Sequence, residues 1–137
     1  MSRFLTEEAL DLNALLDRAR RPDHGAFVTF VGTVRNHHLG RTVTAIDYSA
    51  YGPMAERILS QLVAETEARW PAVRVHCEHR IGHLEVGDDA VHVVVGSPHR
   101  AEAYAASIHF LERLKADCPI WKKEWDEAGG SYVSNRP

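Results

Sequence analysis

Cysteine is scarce in this 137-residue chain: only Cys77 and Cys118 occur, and they form no Cys-x-x-Cys pair. That excludes a disulfide framework and a paired-cysteine metal or redox motif, and it suits a reducing compartment. A basic excess is also missing. Sixteen Lys and Arg against nineteen Asp and Glu leave a formal charge of −3. This argues against a nucleic-acid binder that works by bulk electrostatics, so any anionic ligand must be held by a local cluster of cations. No apolar run approaches the roughly 20 residues needed to span a bilayer. The segment Met1 to Glu8 turns acidic before an apolar signal region could form. No membrane attachment and a cytoplasmic location are expected. The nine glycines make neither a Gly-x-Gly-x-x-Gly nor a P-loop pattern, and the nine histidines make no His-Glu-x-x-His helix.

What is present fits one domain over residues 1–137: 45% hydrophobic and 26% charged residues, without repeats or low-complexity tracts. Asp11 is placed to cap a short helix carrying Leu12, Leu15, Leu16 and Ala19 at helical spacing. Residues 26–34 (AFVTFVGTV) read as a strand in which Gly32 marks a bulge or a close backbone approach. Asn36 to Gly40 is turn-like, and Val43 to Tyr51 is a second strand. Gly52-Pro53 opens a helix whose buried stripe is expected at Met54, Ile58, Leu62 and Val63, and Trp70-Pro71 closes it. Val73, Val75 and Cys77 alternate with polar residues as in a half-buried strand. Gly82 and Gly87-Asp88-Asp89 mark a loop before the strand Val91 to Gly96.

Ser97-Pro98 reads as a helix start, with burial expected at Ala103, Ser107, Ile108, Leu111 and Leu114 up to about Asp117. A strand over Pro119 to Asp126, a Gly129-Gly130 turn and a returning strand over Ser131 to Asn135 complete the chain. From Val43 to Trp125 the order is strand, helix, strand, strand, helix, strand. That is a split βαβ, ferredoxin-like pattern: an α+β fold with an antiparallel sheet covered by helices, extended by a C-terminal hairpin.

Cations gather at a few places. Arg35 ends the first long strand; His99 and Arg100 stand in the first turn of the third helix; Lys115 is in its last turn. Lys122-Lys123 follow on the next strand, and Arg136 is near the chain end. Positive charge at a helix N-terminus opposes the helix dipole, a cost that a bound phosphate would offset. Each cation also has an ordinary explanation: a surface ion pair for Arg100, solvation for His99, dipole complementarity for Lys115. Lys122 and Lys123 must point to opposite faces of a strand, so only one readily enters a given pocket, and spacing does not choose between them. A rise of ~1.5 Å per residue puts His99 and Lys115 roughly 24 Å apart on one helix. They cannot share a small ligand within one subunit, so a site using both must be built from two subunits.

A metal site has little support. His76-Cys77-Glu78 has the His-x-Glu form of zinc deaminases, but no Pro-Cys-x-x-Cys follows. Ser97 is better used as a cap, and Cys118 has no assigned base for nucleophilic work.

Four segments in order carry a resemblance: GAFVTFVGTVRNHHLG (25–40), YSAYGPMA (48–55), HRIGHLEVGDDAVHVVVGSPHR (79–100) and LKADCPIWKKE (114–124) before a glycine turn. Over roughly residues 24–136 the chain resembles the large, catalytic subunit of molybdopterin synthase, the MoaE family. The resemblance implies an α/β hammerhead fold and a central homodimer. It also implies a small ubiquitin-like sulfur carrier (MoaD-like) at each end, completing a heterotetramer. The carrier's Gly-Gly tail, ending in a thiocarboxylate, would enter a pocket and pass sulfur to cyclic pyranopterin monophosphate, giving the dithiolene of molybdopterin. No cofactor and no metal is implied.

The resemblance also assigns residues. Thr33, Val34 and Arg35 fall at a substrate-contacting strand end, and His99 and Arg100 on an anion-binding pair. Lys115 falls on an essential lysine and Lys122 on a second one. Lys123 and Glu124 complete that contact segment, and Arg136 falls on a C-terminal arginine. Lys115 and Lys122 are the expected catalytic groups. The rival readings are a non-catalytic module that scaffolds a ubiquitin-like partner and a metal-dependent hydrolase.

Overall fold

The computed structural model describes residues 3–134. Its elements, in order, are β1 (Leu5–Thr6), α1 (Leu12–Ala19), β2 (Ala26–Thr33), β3 (His37–His38), β4 (Arg41–Thr42), β5 (Ala45–Ala50) and α2 (Gly52–Arg69). There follow β6 (Arg74–Arg80), β7 (Gly82–Glu85), β8 (Asp89–Ser97), α3 (Arg100–Asp117), β9 (Ile120–Trp125) and β10 (Ser131–Ser134).

The strands form two four-stranded sheets, ordered β1-β6-β8-β2 and β10-β9-β5-β7, plus the small ladder β3-β4. The α+β class and the antiparallel pairing agree with the sequence reading; the expected continuous sheet does not form. Each strand has only two edges. Those of β8 are taken by β6 and β2, and those of β5 by β9 and β7, so these two central strands cannot pair with each other. Strand β7 lies where a loop was expected, because its four residues bury only Leu84 and begin with a glycine. Gly82 has φ +100, which lets the chain leave β6 and enter the other sheet after one residue.

Strand β8 is apolar and buried along nearly its whole length because both faces are covered. Val94 packs with Leu15 and Ala19 of α1, whereas Val93 and Val95 enter the main core with Phe110, Leu59 and Ile120. Asp11 caps α1 as expected, accepting from the Ala14 N–H at 3.1 Å. Two helix stripes match their expected positions in part: Leu62 and Val63 of α2 and Ala103, Ser107 and Leu114 of α3 are buried as expected. In α2 the buried residues are Ala55, Leu59, Leu62, Val63 and Thr66, and Met54 is exposed. In α3 they are Ala103, Ala106, Ser107, Phe110 and Leu114, and Ile108 is 57% exposed. Phe110, the larger side chain, takes the centre and leaves Leu111 at the margin. Ser97 ends β8 instead of capping α3; His99 is the N-cap, and Ser97 Oγ accepts its N–H at 3.3 Å.

Candidate active site

Strand β2 carries the first functional group into place. A Cβ at Gly32 would stand 2.7 Å from Val91 Cγ1, so glycine permits the close approach of β2 to β8 there. The register shifts between Gly32 and Thr33, the expected bulge. Beyond it Val34 points inward and is buried, while its N–H and C=O bond to Asp88 and Gly87 of the facing loop. Thr33 and Arg35, on the other side, face a cavity.

That cavity has a volume of about 850 Å³. Arg35 and the β3–β4 hairpin form one side. The last turn of α3 brings Lys115, Ala116 and Glu112, and β9 brings Lys122 and Glu124. The β5–β9 register sets Ile46 opposite Glu124 and Tyr48 opposite Lys122, so these four share the cavity face. Tyr132, opposite Glu124 on β10, closes the far side.

Lys122 is the most perturbed cation there. Its side chain is only 14% exposed. Burial pulls its pKa below the ordinary lysine range, and Arg35 and Lys115 add to this, against the opposing pull of Glu124. Glu124 is buried, with Lys122 Nζ at 3.9 Å, His38 Nδ1 at 3.1 Å and Arg41 Nη2 at 3.4 Å. Burial, helped by Glu124, pushes the Tyr48 phenol up to about 12, so it stays protonated and can donate a hydrogen bond.

Of the residues picked out from sequence, the structure thus brings together Thr33, Arg35, Lys115, Lys122 and Glu124. It does not bring Val34, Lys123, His99 or Arg100 there. Val34 is a core residue, for the reason given by strand alternation. Lys123 points to the opposite face of its sheet, where its ammonium lies 4.2 Å over the Trp125 ring. His99 and Arg100 lie at the far end of the unbroken α3, roughly 24 Å from Lys115 by helical rise. His99 lines a separate small hollow with Trp70, Pro98 and Glu102. Arg136 lies outside the described residues.

The sequence reading missed Tyr48, His38, Arg41 and Tyr132. Tyr48 was findable, since it alternates with Ile46 on a strand inside a motif already singled out. The other three depend on a hairpin and a register that no local pattern specifies.

Other reactive groups are tied up elsewhere. The Cys77 thiol is raised by burial, and burial pushes Cys118 up to about 12, so neither is a ready thiolate. His83 is raised by its bonds to Asp47 and then Glu85, on the surface of the second sheet. Among the described residues no three His, Cys, Asp or Glu side chains converge as a metal site would require. Nor, within those residues, is any helix long and apolar enough to cross a membrane.

Comparison with known proteins places this geometry. The family model described as MoaE protein matches residues 5–117. Molybdopterin synthase catalytic subunit 1 of Mycobacterium tuberculosis is 41% identical over 133 residues, covering 97% of this chain and 90% of that protein. The molybdopterin synthase catalytic subunit of Halalkalibacterium halodurans is 42% identical, with 96% and 85% covered. The crystal structure of molybdopterin synthase from Staphylococcus aureus superposes with a TM-score of 0.91 at 38% identity, covering 98% of each chain.

Proposed function

This chain belongs to the MoaE protein family, and on that premise we propose that it works as a molybdopterin synthase catalytic subunit, transferring sulfur from a carrier's C-terminal thiocarboxylate to cyclic pyranopterin monophosphate. The observation that carries this reading is the convergence of Arg35, Lys115 and Lys122, from three separate elements, on one cavity in a chain of net negative charge.

In this reading the carrier is a small ubiquitin-like protein whose extended Gly-Gly tail enters the cavity. Holding tail and pterin together turns a bimolecular encounter into an intrasite step. The thiocarboxylate sulfur attacks a side-chain carbon of the pterin, so that a C–S bond forms as a C–O bond at that carbon breaks and the oxygen leaves with its electron pair and takes up a proton. Water then hydrolyses the acyl–sulfur bond, leaving sulfur on the pterin and freeing the carrier as a carboxylate. Arg35, whose charge is permanent, neutralises and orients substrate phosphate. Lys115 stabilises negative charge on the thiocarboxylate or on the intermediate. Lys122, with its pKa drawn down toward working pH, exchanges protons with the opening ring. Tyr48 offers a neutral hydrogen-bond donor on the same wall.

His99 and Arg100 enter through a second copy of the chain. With some 24 Å of helix between them and Lys115, their role in anion binding requires the dimer mate to present them at this cavity. The assembly proposed is a central homodimer with one carrier at each end, working in the cytoplasm. The residues assigned to each step are side chains of the chain itself, and no metal or cofactor is given a part.

The test is reconstitution of this protein with a thiocarboxylated carrier and cyclic pyranopterin monophosphate, with molybdopterin detected by fluorescence after oxidation. Product is expected, and Lys115→Ala should abolish it while leaving carrier binding intact. Carrier binding without any product in the unmodified protein would replace this reading with that of a non-catalytic scaffold.

A further inference from the structure

Glu124 is 3% exposed, and cationic side chains approach both of its oxygens. Arg41 donates from Nη2 to Oε1 at 3.4 Å, and His38 Nδ1 lies 3.1 Å from Oε2. Lys122 Nζ stands farther off, 3.9 Å from Oε2, an ion-pair distance but too long for a hydrogen bond. The two shorter contacts come from one unit. His38 and Arg41 are cross-strand partners in the β3–β4 ladder, joined by Leu39 and Gly40 at φ 51 and 76. Two consecutive positive-φ residues make the tight turn that fixes where positions 38 and 41 stand. Arg41 is held a second time, with its guanidinium 4.1 Å from the centre of the Tyr132 ring on β10.

We propose that the β3–β4 hairpin is a positioning device for Lys122: Arg41, with His38 beside it, occupies Glu124 and so leaves the lysine amine free to carry protons. This rests on the sulfur-transfer reading, in which Lys122 exchanges protons. Arg41 touches no reacting atom; it acts through Glu124.

The charges facing Lys122 come from every element around it. Its own strand supplies Glu124, and the end of β2 supplies Arg35. From α3 come Lys115 and Glu112, from the hairpin His37, His38 and Arg41. The neutral phenols of Tyr48 and Tyr132 complete the set. Glu124 is the acid in ion-pair contact with the amine. With the hairpin engaged, burial outweighs the pull of Glu124, and Arg35 and Lys115 add to burial in disfavouring the ammonium. Without the Arg41 charge, Glu124 can turn to Lys122 and a nearby cation is gone; both changes favour the ammonium. His38 adds charge only when protonated, whereas Arg41 carries its charge at every working pH.

The experiment uses the full chain as wild type, Arg41→Met and Arg41→Lys, with folding confirmed by circular dichroism. Acetylation of Lys122 by acetic anhydride, resolved by mass spectrometry and followed against pH, gives the titration midpoint of that amine. Arg41→Met should move the midpoint up by about one pH unit. Labelling at a pH below both midpoints then falls about tenfold, and Arg41→Lys should restore the wild-type curve. Should the Met variant unfold, Arg41→Gln keeps a donor beside Glu124 and repeats the test. A midpoint that stays in place or moves down in a folded, uncharged variant overturns the proposal. Labelling needs neither substrate nor carrier, so its outcome is independent of the reaction. An upward labelling shift with an unmoved pH–rate curve for sulfur transfer would uphold the hairpin's action and count against Lys122 as the proton carrier.

Discussion

Protonating His79 should destabilise this fold. His79 lies on β6 at 1% exposure, donates from Nδ1 to the Arg80 carbonyl at 2.8 Å, and meets the Tyr48 ring edge-on at 5.1 Å. Burial pulls its pKa from 6.5 to about 4, against the smaller opposing effect of the Arg80 bond. Between those two values the unfolded chain binds a proton at this site and the folded chain does not. Stability therefore rises with pH across that window and is lost as pH falls from 6.5 to about 4; above 6.5 the group contributes no pH dependence. A shift of roughly 2.5 units corresponds to about 3 kcal/mol, a large share of the 5–15 kcal/mol typical of a folded domain. Urea unfolding of wild type and His79→Asn at pH 7 and at pH 4.5 measures it. The wild type should lose about 2–3 kcal/mol more than the variant over that interval. His76, also lowered mainly by burial, contributes to both proteins and cancels. Equal losses in the two proteins, or a His79 ring that titrates near 6.5 by NMR in the folded state, would refute the reasoning. Because Tyr48 lines the cavity beside Lys122, activity should fall in the same acid range.

Two further outcomes follow from the same geometry. Glu124→Gln leaves Arg41, His38 and Lys122 around a neutral amide. Removing one partner of a fully buried ion cluster typically costs 3–5 kcal/mol, but these partners are 37%, 24% and 14% exposed, so water screening should reduce the loss to about 2 kcal/mol. Urea denaturation reads it, and a loss below about 0.5 kcal/mol would show that the carboxylate contributes little. Gly32→Ala forces a Cβ to 2.7 Å from Val91 Cγ1, for an expected cost of about 1–3 kcal/mol. It should also raise the KM for the phosphorylated substrate by displacing Arg35, and unchanged stability and KM together would mean that Val91 yields without moving the bulge.

Much of this architecture was legible from local pattern. The α1 cap at Asp11, the bulge at Gly32, the limits of α2 and the alternation of β6 follow from rules that act within a few residues. So did the candidate cations Arg35, Lys115 and Lys122, because charge clusters in an acidic chain stand out before any fold is known. In α2 and α3 the spacing correctly indicates burial of Leu62, Val63, Ala103, Ser107 and Leu114, but Met54 and Ile108 are exposed although they are as apolar as residues that are buried. Which apolar side of a helix is buried depends on the sheet it meets.

The site shows the same division. Alternation alone required Lys122 and Lys123 to diverge, but the covered face of β9 was chosen by α3 and the β3–β4 hairpin closing over one side of the second sheet. The split into two sheets and the engagement of Glu124 by Arg41 were likewise decided in three dimensions, whereas the distance that keeps His99 and Arg100 from Lys115 follows from helical rise along the sequence. Local sequence determined which residues could form each element and which could carry charge. Only the tertiary structure determined which of them meet, because strand edges and cavity walls are made by segments far apart along the chain.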